Sequence, residues 1–224
     1  ASTARAFTFA DGNIFSAVDA QTQPLLTLSV PIGVQSGNNP SANILVQGLL
    51  SPVGNLTLQS DGSIEVLAGG RLSTQTANLE RAGDISLQAS NSIVIDGNNI
   101  EKVYPNGTQR ADAEISSRSY GGNSGGSGEI TILARAVELN NRAQIFTETD
   151  GIGQGGDITI RAGSLNLSNG SRLDAITSGA GQGGDLSIIV DRSLTANNSA
   201  IRANTTSRGN GGDIDIQAGD SVLL

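Results

Sequence analysis

The residues best placed to do chemistry are acidic and periodic. Glu129, Asp157, Asp185 and Asp213 stand 28 residues apart, each after a Gly and before two aliphatic residues in alternation, as in Gly156-Asp157-Ile158-Thr159-Ile160. If equivalent residues stack at the ~4.8 Å spacing of neighbouring strands, these carboxylates form a column. Like charges that close repel unless a cation, water or backbone donors offset the cost. One reading is a Ca²⁺-binding ladder with oxygen ligands at a Gly-rich turn. The other has each carboxylate accept backbone N–H groups of its own Gly-rich turn, with the column solvated. The Gly-Gly-Asp sequence is not the calcium-binding β-roll motif, which repeats about every nine residues. A second set of acids, Glu148, Asp150 and Asp174, could cleave a polysaccharide only if two of them faced each other across a cleft, or one acted with a metal. The equivalents of Glu148 one and two units on are Ile176 and Asn204. That scatter does not describe a single catalytic constellation, and the sequence predicts no catalytic residue.

Composition narrows the chemistry further. The 224 residues include no Cys and no His. Thiolate metal sites, disulfides, a Cys nucleophile, the commonest general base and the usual serine-hydrolase triad are therefore absent. The formal net charge is −8, and the chain lacks the clustered basic footprint expected of a nucleic-acid-binding protein. No apolar run approaches the ~18 residues of a membrane-spanning helix.

The elements that must carry the acids follow from the same period. Upstream, Gly83-Asp84-Ile85-Ser86-Leu87 and Gly54-Asn55-Leu56-Thr57-Leu58 belong to the series, and the unit between Asp84 and Glu129 is 17 residues longer than the others. Each unit holds three short apolar alternations. In one unit they start at Ile158 and Ile160, at Leu165 and Leu167, and at Leu173; Thr149, Thr177 and Thr205 recur four residues after the start of the third. Period-two alternation over four to six residues describes half-buried strands. Three such strands per tandem unit, none able to bury its thin apolar set alone, describe a solenoid. The expected fold is all-β, a three-sided parallel β-helix with coils of about 28 residues and an aliphatic interior. Asn141, Asn169 and Asn197 are expected to stack in the turn between the second and third strands, where Asn tolerates left-handed backbone.

Two regions depart from the period. Residues 1–54 hold three of the four Phe and four of the five Pro (Pro24, Pro31, Pro40 and Pro52). They are expected to form irregular N-terminal coils, with strand-like segments at Arg5–Phe9, 25–30 and 43–47, ahead of the tandem coils of 55–224. The 17-residue excess is expected to form a protruding loop near 97–112 that includes Glu101, Lys102, Tyr104, Pro105 and Asn106. Insertions in solenoids commonly lie on one face and bind, so Glu101, Lys102 and Tyr104 are the candidate binding residues.

The opening stretch, with Phe9-Ala10-Asp11-Gly12-Asn13-Ile14-Phe15-Ser16-Ala17 and Pro24-Leu25-Leu26-Thr27-Leu28-Ser29-Val30-Pro31-Ile32-Gly33-Val34, resembles the end of the secretion domain in cyanobacterial filamentous-haemagglutinin-type exoproteins. The units that follow resemble the haemagglutinin-like repeats of those chains. The resemblance implies two-partner secretion through an outer-membrane β-barrel and a right-handed β-helix outside the cell. It also implies an adhesive or structural role at the cell surface or in the extracellular matrix, with surface glycans as partners. Cofactors are not expected, Ca²⁺ in the acidic column excepted. The unfinished pattern at Ser221, Val222, Leu223 and Leu224 predicts a piece of a longer solenoid whose partners are further coils or identical subunits stacked end to end. The alternative reading is a β-helix that binds or cleaves polysaccharide.

Overall fold

The computed structural model describes residues 43–67, 69–97 and 112–224 in full, and elsewhere the backbone of six further strands. The strands in chain order are β1 (Arg5–Phe9), β2 (Ile14–Ser16), β3 (Leu26–Leu28), β4 (Ile32–Ser36), β5 (Ile44–Val46), β6 (Leu49–Pro52), β7 (Leu56–Ser60), β8 (Ile64–Val66), β9 (Arg71–Thr76), β10 (Ile85–Ala89) and β11 (Ser92–Asp96). There follow β12 (Glu101–Tyr104), β13 (Gly107–Arg110), β14 (Glu114–Ser119), β15 (Ile130–Asn140), β16 (Gln144–Thr149), β17 (Ile158–Ser168), β18 (Arg172–Thr177), β19 (Leu186–Val190), β20 (Ser193–Asn197), β21 (Ala200–Thr205), β22 (Ile214–Ala218) and β23 (Ser221–Leu223).

All the solenoid strands pair in parallel with their equivalents one coil away. The first face runs β1-β4-β7-β10 into the first half of β15; the second runs β2-β5-β8-β11 into its second half; the third is β3-β6-β9-β14-β16-β18-β21. The fold is therefore a three-sided parallel β-helix, with five full coils from Leu56 to Thr205. In-register pairing builds aliphatic columns, such as Leu58, Leu87, Ile132, Ile160 and Ile188, each at most 1% exposed. Burying one such side chain stabilises by roughly 1.5–3 kcal/mol. A single coil offers too few of them to offset its own ordering entropy, so the columns, not the coil, are the unit of stability.

The sequence predicts three separate strands per coil. In two coils the first two merge into the 11-residue strands β15 and β17. Ala134 and Val137 both face inward, three residues apart instead of two. That slip of phase turns the corner without a break in pairing, because Ala134 and Ala136 are small and no Gly-Asn or Asp-Gly turn interrupts them. The N-terminal strands join the same ladders, β1 on β4 and β4 on β7. Pro24, Pro31 and Pro40 lie outside the described residues.

The long unit carries two strands where the sequence predicts a loop. Its β12 and β13 form an antiparallel hairpin, with Glu101 opposite Arg110 and Tyr104 opposite Gly107. No helix of the structure is long and apolar enough to cross a membrane, among the described residues.

Candidate functional site

The acidic column lies where the Gly-rich turn enters the first face. The Gly before each acid sits so close to the coil beneath that an added Cβ would strike a carbonyl oxygen: that of Gly128 for Gly156, and of Gly156 for Gly184. This contact, not conformational freedom, explains the recurring Gly-Asp pair. The next residue can then hydrogen-bond along the stack. Asp157 Oδ1 accepts the backbone N–H of Asp185 at 2.8 Å, and Asp185 Oδ1 accepts that of Asp213 at 2.8 Å. Asn55 Oδ1 and Asp84 Oδ1 do the same for Asp84 and Glu129, at 2.8 and 2.9 Å. The N–H groups thus belong to the next coil, not to the acid's own turn as expected. Each carboxylate offsets its neighbour's repulsion with an oriented backbone dipole.

Glu129 interrupts the pattern. Its longer side chain meets Arg81 at 3.2 Å, and Arg81 also meets Asp84 at 3.1 Å. These pairs are solvent-exposed and worth ~0–1 kcal/mol each. Beside the column, Gln154 donates to Gln182 one coil on, at 3.4 Å. Among the described residues no three acidic side chains converge in a way that could hold a metal ion; Glu129, Asp157, Asp185 and Asp213 present one carboxylate per coil.

Asn141 and Asn169 adopt left-handed backbone, with φ of 54° and 55°. Asn169 Nδ2 donates to Asn141 Oδ1 at 3.1 Å, and Asn141 Nδ2 to Asp96 Oδ1 at 2.9 Å. The third expected member is corrected. Asn197 pairs with Ser168 at the end of β20, and the left-handed residue is Asn198, with φ 48°. The cause is a one-residue slip: Ala162 pairs with Val190, 28 on, but Leu165 pairs with Leu194, 29 on.

The three third-face acids are not brought together. Asp174, 4% exposed, is gripped by the Arg202 fork at 2.7 and 2.8 Å. This contact holds the Arg202 guanidinium above its ordinary pKa, through the hydrogen bond and then the charge of Asp174. Glu148 lies 3.6 Å from Arg118 Nε, and Asp150 accepts from Ser178 Oγ at 2.6 Å. Arg118 also meets Glu114 at 3.2 Å and covers the Phe146 ring at 4.4 Å. Burial lowers the Arg118 pKa; the Tyr120 bond and the charges of Glu114 and Glu148 reverse that, and the net shift is upward. The backbone places Glu101, Lys102 and Tyr104 together on β12; Pro105 and Asn106 lie outside the described residues.

Sequence reasoning missed what the third-strand hydroxyls do. Thr149 Oγ1 accepts the Ser127 N–H at 2.9 Å and donates to Ser127 Oγ at 2.8 Å, while Thr147 Oγ1 donates to the Gly156 carbonyl at 2.7 Å. Both threonines are fully buried. They satisfy backbone groups of the Gly-rich turns, which run beside the third strand without pairing as strands. The recurrence of Thr149, Thr177 and Thr205 was the available signal. Together the columns define a solenoid repeat protein whose polar groups serve mainly its own stacking. No protein-family model, curated protein or solved structure matches the chain.

Proposed function

We propose that the chain is a non-enzymatic structural and adhesive segment of a secreted β-helical filament, of the filamentous-haemagglutinin type that its sequence resembles. The observation that carries the reading is the in-register stack: five coils from Leu56 to Thr205 pair in parallel with their neighbours on all three faces, and buried aliphatic columns such as Leu58, Leu87, Ile132, Ile160 and Ile188 run through them. A ladder built this way is lengthened by adding coils of the same kind, and the partner that fits is such a coil, stacked end to end. The pairing of Asp174, Glu148 and Asp150 with separate partners favours this over polysaccharide cleavage, which needs two facing carboxylates. The reading needs no cofactor. Secretion through an outer-membrane β-barrel and placement at the cell surface or in the extracellular matrix follow from the resemblance. The test is the mass of residues 1–224 by light scattering across a concentration series, for the wild type and for a Val222→Lys, Leu223→Lys variant. End-to-end growth of the wild type that the variant lacks supports the reading. A wild type that stays monomeric throughout, or a depolymerising activity lost on mutation of Glu148 and Asp174, contradicts it.

A further inference from the structure

On a chain of net charge −8, three unpaired arginine side chains gathered in one groove form a local cationic site. Arg81, Arg118, Arg142 and Arg202 each form an ion pair. The side chains of Arg135, Arg161 and Arg192 make no hydrogen bond or ion pair among the described residues, and all three line one open groove of about 620 Å³ at the corner between the first and second faces. The fold explains their meeting. Gly163 stacks directly over the Arg135 carbonyl, and the Arg192 N–H donates to the Gly163 carbonyl at 3.0 Å. Arg135, Gly163 and Asp191 therefore occupy one column on three successive coils, and Arg192, the residue after Asp191, reaches back over Gly163, its guanidinium 3.4 Å from where a Cβ would stand. Arg161 lies on the middle coil, two residues before Gly163. Each coil thus contributes one cation, in steps of ~4.8 Å along the solenoid axis, and the missing side chain at Gly163 leaves the floor open between the outer two. Asp191 also lines the groove, so three cations face one carboxylate.

We propose that this groove binds a linear polysaccharide bearing carboxylates, a polyuronate, laid along the solenoid axis. A guanidinium forks a carboxylate through two parallel N–H bonds, and a concave cationic site focuses its field locally even on an acidic protein. Asp191 offers an acceptor for a sugar hydroxyl. Nucleic acid fits less well. No aromatic side chain lines the groove to stack a base, and the acidic remainder of the chain repels a polyanion as dense as DNA. The proposal deepens the adhesive reading by naming a ligand class, but needs only a folded solenoid, not a filament.

The test titrates the full chain with de-esterified oligogalacturonate, its methyl ester and duplex DNA, at low and at physiological salt. The expected result is binding of the acid form alone, weakened by salt. An Arg135→Gln, Arg161→Gln, Arg192→Gln variant should bind about ten- to a hundredfold more weakly, three exposed charge contacts being lost. Single Arg161→Gln should fall between. The control is Arg71→Gln, Arg172→Gln, Arg208→Gln, which removes three other exposed, unpaired arginines to the same net charge and should bind like the wild type. Circular dichroism confirms that each variant is folded. Failure of the wild type to bind the acid form overturns the proposal. So does equal binding of the methyl ester, an equal loss in the control variant, or tighter binding of DNA through the same three arginines. Light scattering on the same samples reports assembly separately, so a failed filament and a failed glycan site are told apart.

Discussion

Replacing Thr149 by Val keeps the shape of the side chain and removes only its hydroxyl. Thr149 and Ser127 are both fully buried, and the Thr149 Oγ1 is the acceptor for the Ser127 N–H at 2.9 Å. The Ser127 hydroxyl in turn accepts the Gly156 N–H at 2.8 Å and the Thr149 proton at 2.8 Å. Val leaves a buried backbone donor with no partner, at a cost of about 1–3 kcal/mol. For a chain of this size a loss of about 2 kcal/mol lowers the melting temperature by roughly 4–8 °C. The internal comparison is Thr205, in the same column two coils on, whose hydroxyl donates to the Asn210 carbonyl at 3.1 Å in partial contact with solvent. Water can replace that bond, so Thr205→Val should cost less than about 0.5 kcal/mol. Thermal melting followed by circular dichroism gives the totals, and hydrogen exchange of the Ser127 amide gives the local effect. Equal losses at the two sites, or a Thr149→Val protein as stable as wild type, would refute the claim that third-strand hydroxyls hold the Gly-rich turns.

Other substitutions separate the column from the surface. Gly156→Ala places a methyl group against the Gly128 carbonyl, whereas a Cβ at Gly122 meets nothing; by urea denaturation the first should lose about 3 kcal/mol or more and the second under about 0.5. Ile158 and Ile214 share a column through Leu186, but only Ile214 is exposed; Ile158→Ala should cost about 2–5 kcal/mol and Ile214→Ala under about 1, in the same assay. Arg202→Ala strands the buried Asp174 carboxylate and should destabilise by about 1–3 kcal/mol, with Asp174→Asn in the same background recovering part of it.

Much of the architecture was legible because a solenoid writes its geometry as a spacing. Equivalent residues touch, so Ile130, Ile158, Leu186 and Ile214 had to match in type, and their interval of 28 named the coil. Where the interval varies the signal fades. First strands β1, β4 and β7 begin at 5, 32 and 56, two unequal steps, and the strands Ile14–Ser16, Ile32–Ser36 and Leu49–Pro52 escaped the reading. The slip that put Asn198 in the place expected for Asn197 shows in the sequence only as Leu194 standing nine residues after Asp185 where Leu165 stands eight after Asp157, and the interval of 28 hides it because the extra residue before β20 is removed again before β21. The acidic column was legible as a column, but not the direction of its bonds: a sequence shows that Asp157 and Asp185 stack, not whose N–H fills the gap. The arginine groove was illegible for the opposite reason. Arg135, Arg161 and Arg192 share no interval, and only the corner at Gly163 brings them together.

The most direct test of the filament is fibre diffraction from aligned assemblies of the chain. Coils stacked end to end place every strand across the fibre, so a strong reflection at ~4.8 Å must lie along the fibre axis, with electron micrographs showing unbranched rods of constant width. Rods with that reflection across the axis, or particles of one fixed length at every concentration, would contradict end-to-end stacking.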